Sequence, residues 1–137
     1  MLETHTTDSE AETTAVGRAF AARLEPGAVL LIDGPLGAGK TAFVRGVAAG
    51  LGAAPEAVSS PTFTLIQEYD GGRLRLFHAD LYRLTEPEAD DLGLSETGDA
   101  GVLAVEWPDR WRTPPAESVR VSIVRVDDQR REISIAL

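Results

Sequence analysis

Val29-Leu30-Leu31-Ile32-Asp33-Gly34-Pro35-Leu36-Gly37-Ala38-Gly39-Lys40-Thr41 is the stretch on which the architecture turns. Val29 to Ile32 is an uninterrupted apolar run, the pattern of a strand buried on both faces. A glycine-rich turn follows. Beyond it a helix is expected from near Lys40, carrying Phe43, Val44, Val47 and Leu51 and stopping at Gly50 or Gly52. Gly34 to Thr41 satisfies G-x-x-x-x-G-K-S/T in full, in the strand–turn–helix setting that gives the motif meaning. Phosphate oxygens must approach the main chain closely, and glycine removes the Cβ that would stop them. Successive N–H groups with a helix dipole behind them then favour an anion. In this reading Leu36, Gly37, Ala38 and Gly39 wrap the phosphates, Lys40 reaches the β and γ groups, and the Thr41 hydroxyl ligates Mg²⁺.

The cations of the chain support that reading. Of 13 basic residues twelve are arginine, and Lys40 is the only lysine. A bias toward arginine leaves the exception unexplained. A compact charge on a flexible stem does what a rigid planar fork does not. Acidic residues number 22, for a net charge of -9. A protein that grips nucleic acid through phosphates gains affinity from a basic face, so this chain is poorly equipped to hold RNA alone. Cysteine is absent, which removes disulfides, thiolate metal sites and cysteine nucleophiles. No apolar run approaches the ~18 residues of a membrane span, and the polar, acidic start does not resemble a secretory signal. A cytoplasmic protein without membrane attachment is expected.

The 137 residues suit one domain over 1–137. Ser9 with Glu12 fits a helix-capping box, followed by an apolar stripe from Ala15 to Leu24 closed by Pro26-Gly27. Ser59-Ser60-Pro61-Thr62 is loop chemistry leading to a strand at Phe63 to Ile66. Gly71-Gly72 marks a hairpin turn into a strand over Leu74 to Ala79. The acidic stretch 85–99 predicts one short helix and exposed loops. Val102 to Val105 reads as another buried strand, and Val119 to Val126 with Ile133 to Leu137 as a closing hairpin. The expected fold is α/β, a P-loop domain with a mostly parallel central sheet flanked by helices and a C-terminal antiparallel hairpin.

A P-loop enzyme needs a carboxylate at the end of a neighbouring buried strand for its magnesium shell. Glu106 ends the Val102 strand and takes that role here. Asp80 shares a strand face with Leu74, Leu76 and His78, and is assigned to positioning or activating the attacking water. Thr62 has two readings of equal weight, a hydroxyl that senses the γ-phosphate and an ordinary turn residue. His78 reads as a packed, hydrogen-bonded strand histidine and Trp107 and Trp111 as core or rim aromatics; Arg45 and Arg83 have two readings, neutralising transition-state charge or, as the commoner fate of a single arginine, a surface ion pair.

Gly37-Ala38-Gly39-Lys40-Thr41, Ser60-Pro61-Thr62-Phe63-Thr64-Leu65, Glu68-Tyr69, His78-Ala79-Asp80-Leu81-Tyr82-Arg83-Leu84 and Val105-Glu106-Trp107-Pro108 stand in order along the chain. Together they resemble the TsaE family, small bacterial ATPases of tRNA threonylcarbamoyladenosine (t6A) biosynthesis. The resemblance implies an α/β P-loop ATPase that binds ATP with Mg²⁺ and hydrolyses it slowly. It implies metal ligands at Thr41 and Glu106, a catalytic aspartate at Asp80 beside Lys40, and a switch threonine at Thr62. It places Trp107 beside the nucleotide and offers Glu10 and Arg131 as adenine-side contacts. Its partner is a TsaD–TsaB-type heterodimer that carries out the carbamoyl transfer, with tRNA engaged only indirectly through that complex. Pro35 stands where the family often has an acid, and Ala42 where it often has a second threonine; neither position supplies a ligand.

Other readings make different demands. A small-molecule kinase needs an acceptor pocket and usually a basic lid, for which 137 residues with an acidic 85–99 segment leave little room. A GTPase-like switch commonly reads guanine through Asn-Lys-x-Asp, and the only lysine is already committed. A pure interaction module predicts no nucleotide binding at all.

Overall fold

The computed structural model describes residues 1–53, 66–70, 72–97 and 100–137. Seven strands form one sheet: β1 (Leu2–Thr7), β2 (Val29–Asp33), β3 (Ile66–Tyr69), β4 (Leu76–Asp80), β5 (Val102–Glu106), β6 (Val119–Arg125) and β7 (Arg131–Ala136). Their order across the sheet is β1-β7-β6-β2-β5-β4-β3. The centre, β6-β2-β5-β4, is parallel; β3 pairs antiparallel at one edge, β7 and then β1 at the other. The helices are α1 (Glu10–Ala21), α2 (Lys40–Leu51) and the short α3 (Glu86–Asp90). The α/β domain with a parallel centre and a terminal hairpin is therefore the observed fold.

The period of two along the strands sorts the core into layers. Leu30, Ile32, Leu76, Val102 and Ala104 face α1 and α2, against Phe20, Phe43, Val47 and Leu51. Leu31, Ala79, Leu103 and Val105 face the other way, onto Leu81, Leu84, Ala89, Leu94 and Trp111. Strands buried on both faces have no polar side to show, which is why β2 and β5 are apolar throughout until their last residue. Burying a side chain such as Phe43 or Leu51 stabilises the fold by about 1.5–3 kcal/mol.

Local chemistry sets the element ends. Ser9 caps α1, its hydroxyl accepting from the Glu12 amide at 3.1 Å, while the Glu12 carboxylate reaches back to the amide of Asp8 at 3.0 Å. Helix α2 ends on Gly52 in a left-handed conformation. The α1–α2 contact is tight because glycines floor it: a Cβ on Gly46 would stand 1.9 Å from the Thr14 carbonyl oxygen, and one on Gly17 2.3 Å from that of Phe43.

The structure departs from or adds to the sequence reading at four points. Strand β1 was not foreseen, because an exposed edge strand reading Leu-Glu-Thr-His-Thr-Thr buries only Thr7 and shows no apolar pattern. The strand expected at Leu74 to Ala79 runs Leu76–Asp80, carrying Asp80 into the ladder opposite Glu106. The middle strand runs Ile66–Tyr69; Phe63, Thr64 and Leu65 lie outside the described residues, as does Gly71 of the expected turn. The acidic segment contributes to packing, since Ala89 of α3 and Leu94 are buried while the acids face out. Among the described residues no helix is long and apolar enough to cross a membrane.

Candidate functional site

The parallel strands β2, β5 and β4 end side by side, the place where open α/β sheets present their ligand crevice. The register aligns Ile32 with Glu106 and Glu106 with Asp80, so the two acids are neighbours across the β4–β5 ladder. The glycine-rich turn leaves β2 directly above them. Gly34 has φ +154°, and a Cβ there would lie 2.5 Å from the Ile123 carbonyl oxygen. Gly39 is the N-cap of α2 with φ +107°, in a region side chains avoid. The first helical bond runs from the Phe43 amide to the Gly39 carbonyl at 3.0 Å. The amides before it carry the unsatisfied, positive end of the helix.

A cavity of about 660 Å³ opens over this turn. It brings together the turn residues Leu36, Gly37, Ala38 and Gly39 with Lys40 and Thr41. Asp80 and Glu106 line it from the strand ends, and Trp107 from the turn after β5. Glu10 of α1 and Arg131 of β7 line its far side. Every expected site residue inside the described regions thus meets in one place; Thr62 lies outside the described residues.

Lys40 is only 5% exposed. Its ammonium donates to the carbonyl oxygens of Gly34 and Pro35, the latter at 3.1 Å, and lies 4.0 Å from the centre of the Trp107 ring. Burial lowers its pKa, and the Glu106, Asp80 and Asp33 charges oppose that shift. Asp80 moves upward. Burial is the main cause and the Glu106 charge adds to it, against the Tyr82 amide at 3.0 Å and the His78 and Lys40 charges, which pull it down.

Glu106 is 2% exposed. Its Oε2 accepts from the Thr41 hydroxyl at 3.3 Å and meets His78 Nε2 at 2.5 Å. Thr41 and Glu106 are hard oxygen donors at one end of the phosphate-binding turn, a set that suits Mg²⁺. Among the described residues no cluster of three or more acids or histidines forms a metal cage.

Trp107 and Arg131 are held in ways the sequence did not announce. Trp107 has φ 59°, the only non-glycine residue with positive φ among the described residues, and stacks obliquely on Tyr82 with ring centres 4.8 Å apart. A left-handed backbone costs such a residue about 1–2 kcal/mol, so the indole is held over Lys40 against its own preference. Arg131 donates to the carbonyl of Ala38 at 3.0 Å and to that of Gly37 at 3.4 Å. It also bonds the Asp127 and Arg130 carbonyls, tying the β6–β7 turn to the glycine-rich turn. Glu10 is bound by Arg45 at 2.9 Å, the surface ion pair expected of that arginine. Tyr82, Thr13 and Gln129 also line the cavity and were not singled out from sequence. Only Tyr82 carried a signal, two residues beyond Asp80 in the same segment.

The chain is similar to known proteins over most of its length. The family described as "Threonylcarbamoyl adenosine biosynthesis protein TsaE" matches residues 7–133. The tRNA threonylcarbamoyladenosine biosynthesis protein TsaE of Bacillus subtilis (strain 168) is 46% identical over 125 residues, 90% of this chain and 78% of that protein. Its counterpart in Treponema pallidum (strain Nichols) is 44% identical over 126 residues, covering 90% and 89%. The crystal structure of Bacillus subtilis YdiB superposes with a TM-score of 0.77 at 36% identity, covering 98% of this chain and 84% of that one.

Proposed function

The chain belongs to the TsaE family of threonylcarbamoyl adenosine biosynthesis proteins, and on that premise we propose that it is a magnesium-dependent ATP-binding protein that hydrolyses ATP slowly in support of tRNA t6A modification. One observation carries the reading. Lys40 and Thr41, at the head of the only helix that begins on a glycine-rich turn among the described residues, sit opposite two acids on adjacent parallel strands. A triphosphate laid along that turn meets helix-end amides and the Lys40 ammonium. It displaces that ammonium from the Gly34 and Pro35 carbonyls, exchanging neutral acceptors for charged ones.

Thr41 and Glu106 hold the magnesium in this reading. When bound, the ion neutralises charge on the β and γ oxygens. Asp80 takes the proton of the attacking water, or fixes that water in line with the γ-phosphorus. Its raised affinity for a proton suits it to the first task. Trp107 lines the site beside Lys40, and Glu10 and Arg131, on the far side of the same cavity, are the candidates for adenine-side contacts. The carbamoyl transfer belongs to a TsaD–TsaB-type heterodimer, which also holds the tRNA. This chain drives turnover of that complex in the cytoplasm.

Calorimetry with ATP plus magnesium tests the reading. Wild-type protein should bind with one site. Lys40→Ala should weaken binding roughly 30-fold or more, because a buried charge pair loses one member at a cost of about 2–5 kcal/mol. Equal heats from both proteins, or none from the wild type, would remove the nucleotide assignment.

A further inference from the structure

Among the described residues His78 is the one fully buried titratable side chain to which the proposed reaction gives no task. It stands on β4 opposite Ala104 of β5, two residues before Asp80, and shares the strand face of Asp80. From there Nε2 reaches forward to Glu106 Oε2 at 2.5 Å. In the tautomer that carries its hydrogen on Nε2, the ring donates to that oxygen. Nδ1 on the other side of the ring is buried, with no hydrogen-bond partner among the described residues.

These facts do not describe a residue kept for stability. A buried polar atom without a partner destabilises the fold relative to an apolar side chain of similar size. The surroundings favour such a replacement, since Leu76 and Ala104 on the same strand face belong to the apolar core under α1 and α2. The other donor to Glu106 Oε2 is the Thr41 hydroxyl at 3.3 Å, and Thr41 is itself assigned to the cation. Once Thr41 turns to the metal, His78 is the protein donor that remains on the carboxylate. Both bonds land on Oε2, and Glu106 lines the cavity together with Thr41.

We propose that His78 is a positioning residue for magnesium, donating from Nε2 to lock the Glu106 carboxylate in the rotamer that presents it to the ion. The inference rests on the nucleotide reading above and deepens it. Partners that orient a metal-binding side chain typically carry 10- to 100-fold in metal affinity. Their removal leaves metal-free contacts in place.

The test compares wild type with His78→Leu and His78→Gln, the second placing an N–H at about the reach of Nε2. A fluorescent ATP analogue is titrated with magnesium and, separately, in EDTA; thermal midpoints are taken without nucleotide. His78→Leu should raise the half-saturating magnesium concentration about 10-fold or more, with unchanged analogue binding in EDTA and an equal or higher thermal midpoint. His78→Gln should recover most of the magnesium response. An unchanged magnesium requirement in His78→Leu overturns the assignment. So does a parallel loss of stability and EDTA binding in both variants, which marks a purely structural histidine. Should His78→Leu not fold, a His78→Gln protein whose magnesium requirement rises as stability falls also overturns it. Wild-type protein that binds no analogue instead removes the nucleotide reading on which the inference stands, and binding without regard to magnesium removes the metal assignment at Thr41 and Glu106.

Discussion

Asp80 and Glu106 are adjacent carboxylates in different surroundings. Glu106 is sunk beneath the turn with donors from His78 and Thr41, whereas Asp80 accepts only the Tyr82 amide in the described contacts and lines the open cavity. Its carboxyl is held above the ordinary aspartate range, first by burial and then by the Glu106 charge. The ionised form therefore opposes folding at neutral pH. That penalty disappears as pH falls through the raised value and is gone below the ordinary value of about 3.9. Asp80→Asn keeps an oxygen for the Tyr82 amide and removes the charge. The nucleotide-free variant should melt higher than wild type at pH 7, and melting curves taken at successively lower pH should show the difference close. In the same variant ATP should bind normally while phosphate release drops by about 10²–10⁴-fold, the usual worth of a positioned base. Normal hydrolysis would make Asp80 a structural acid. At this scale the sequence spoke clearly where function demands one residue type. Lys40 was legible because nothing else in an arginine-rich chain explains a lysine. The His78–Glu106 contact was not, since it depends on a ladder register that no local pattern specifies.

Elements were legible in proportion to how much apolar surface they bury. Strands β2 and β5 and helix α2 announced themselves because they are covered on both sides. Strand β1 hid because its exposed side chains are chosen for water. The closeness of α1 to α2 was equally silent, although it sets where Glu10 and Thr13 stand around the cavity. Its cause is glycine at Gly17, Gly46 and Gly50, a residue type that by propensity alone weakens a helix. A Cβ on Gly46 would meet main-chain atoms of Thr14 at 1.9 and 2.8 Å, which no side-chain rotation relieves. Gly46→Ala gains up to about 1 kcal/mol of helix propensity but forces the two helices apart. A net loss of about 2 kcal/mol is expected, read as a lower urea midpoint with unchanged slope. An unchanged midpoint would mean that the helices separate freely. Weaker ATP binding should accompany the loss, since the wall bearing Glu10 shifts.

For the molecule as a whole, the charge distribution bears on how a protein of this family meets tRNA. Net charge is -9, and most of the arginines are engaged within the chain. Among the described residues seven of the twelve are ion-paired with acids of the chain: Arg23, Arg45, Arg75, Arg110, Arg112, Arg125 and Arg130. Arg73 and Arg131 spend donors on backbone carbonyls. Neutralising a phosphate with one of these groups first requires breaking an internal contact. The counterion release that drives association with a polyanion is correspondingly small. The isolated protein should give no salt-dependent shift of tRNA in a gel assay, even at low ionic strength. Its phosphate release should be unchanged by tRNA alone, rise with a TsaD–TsaB-type pair, and rise further with both present. Tight binding of free tRNA that weakens steeply with salt would show that the chain carries its own RNA-binding face, and the division of labour argued here would have to be redrawn around it.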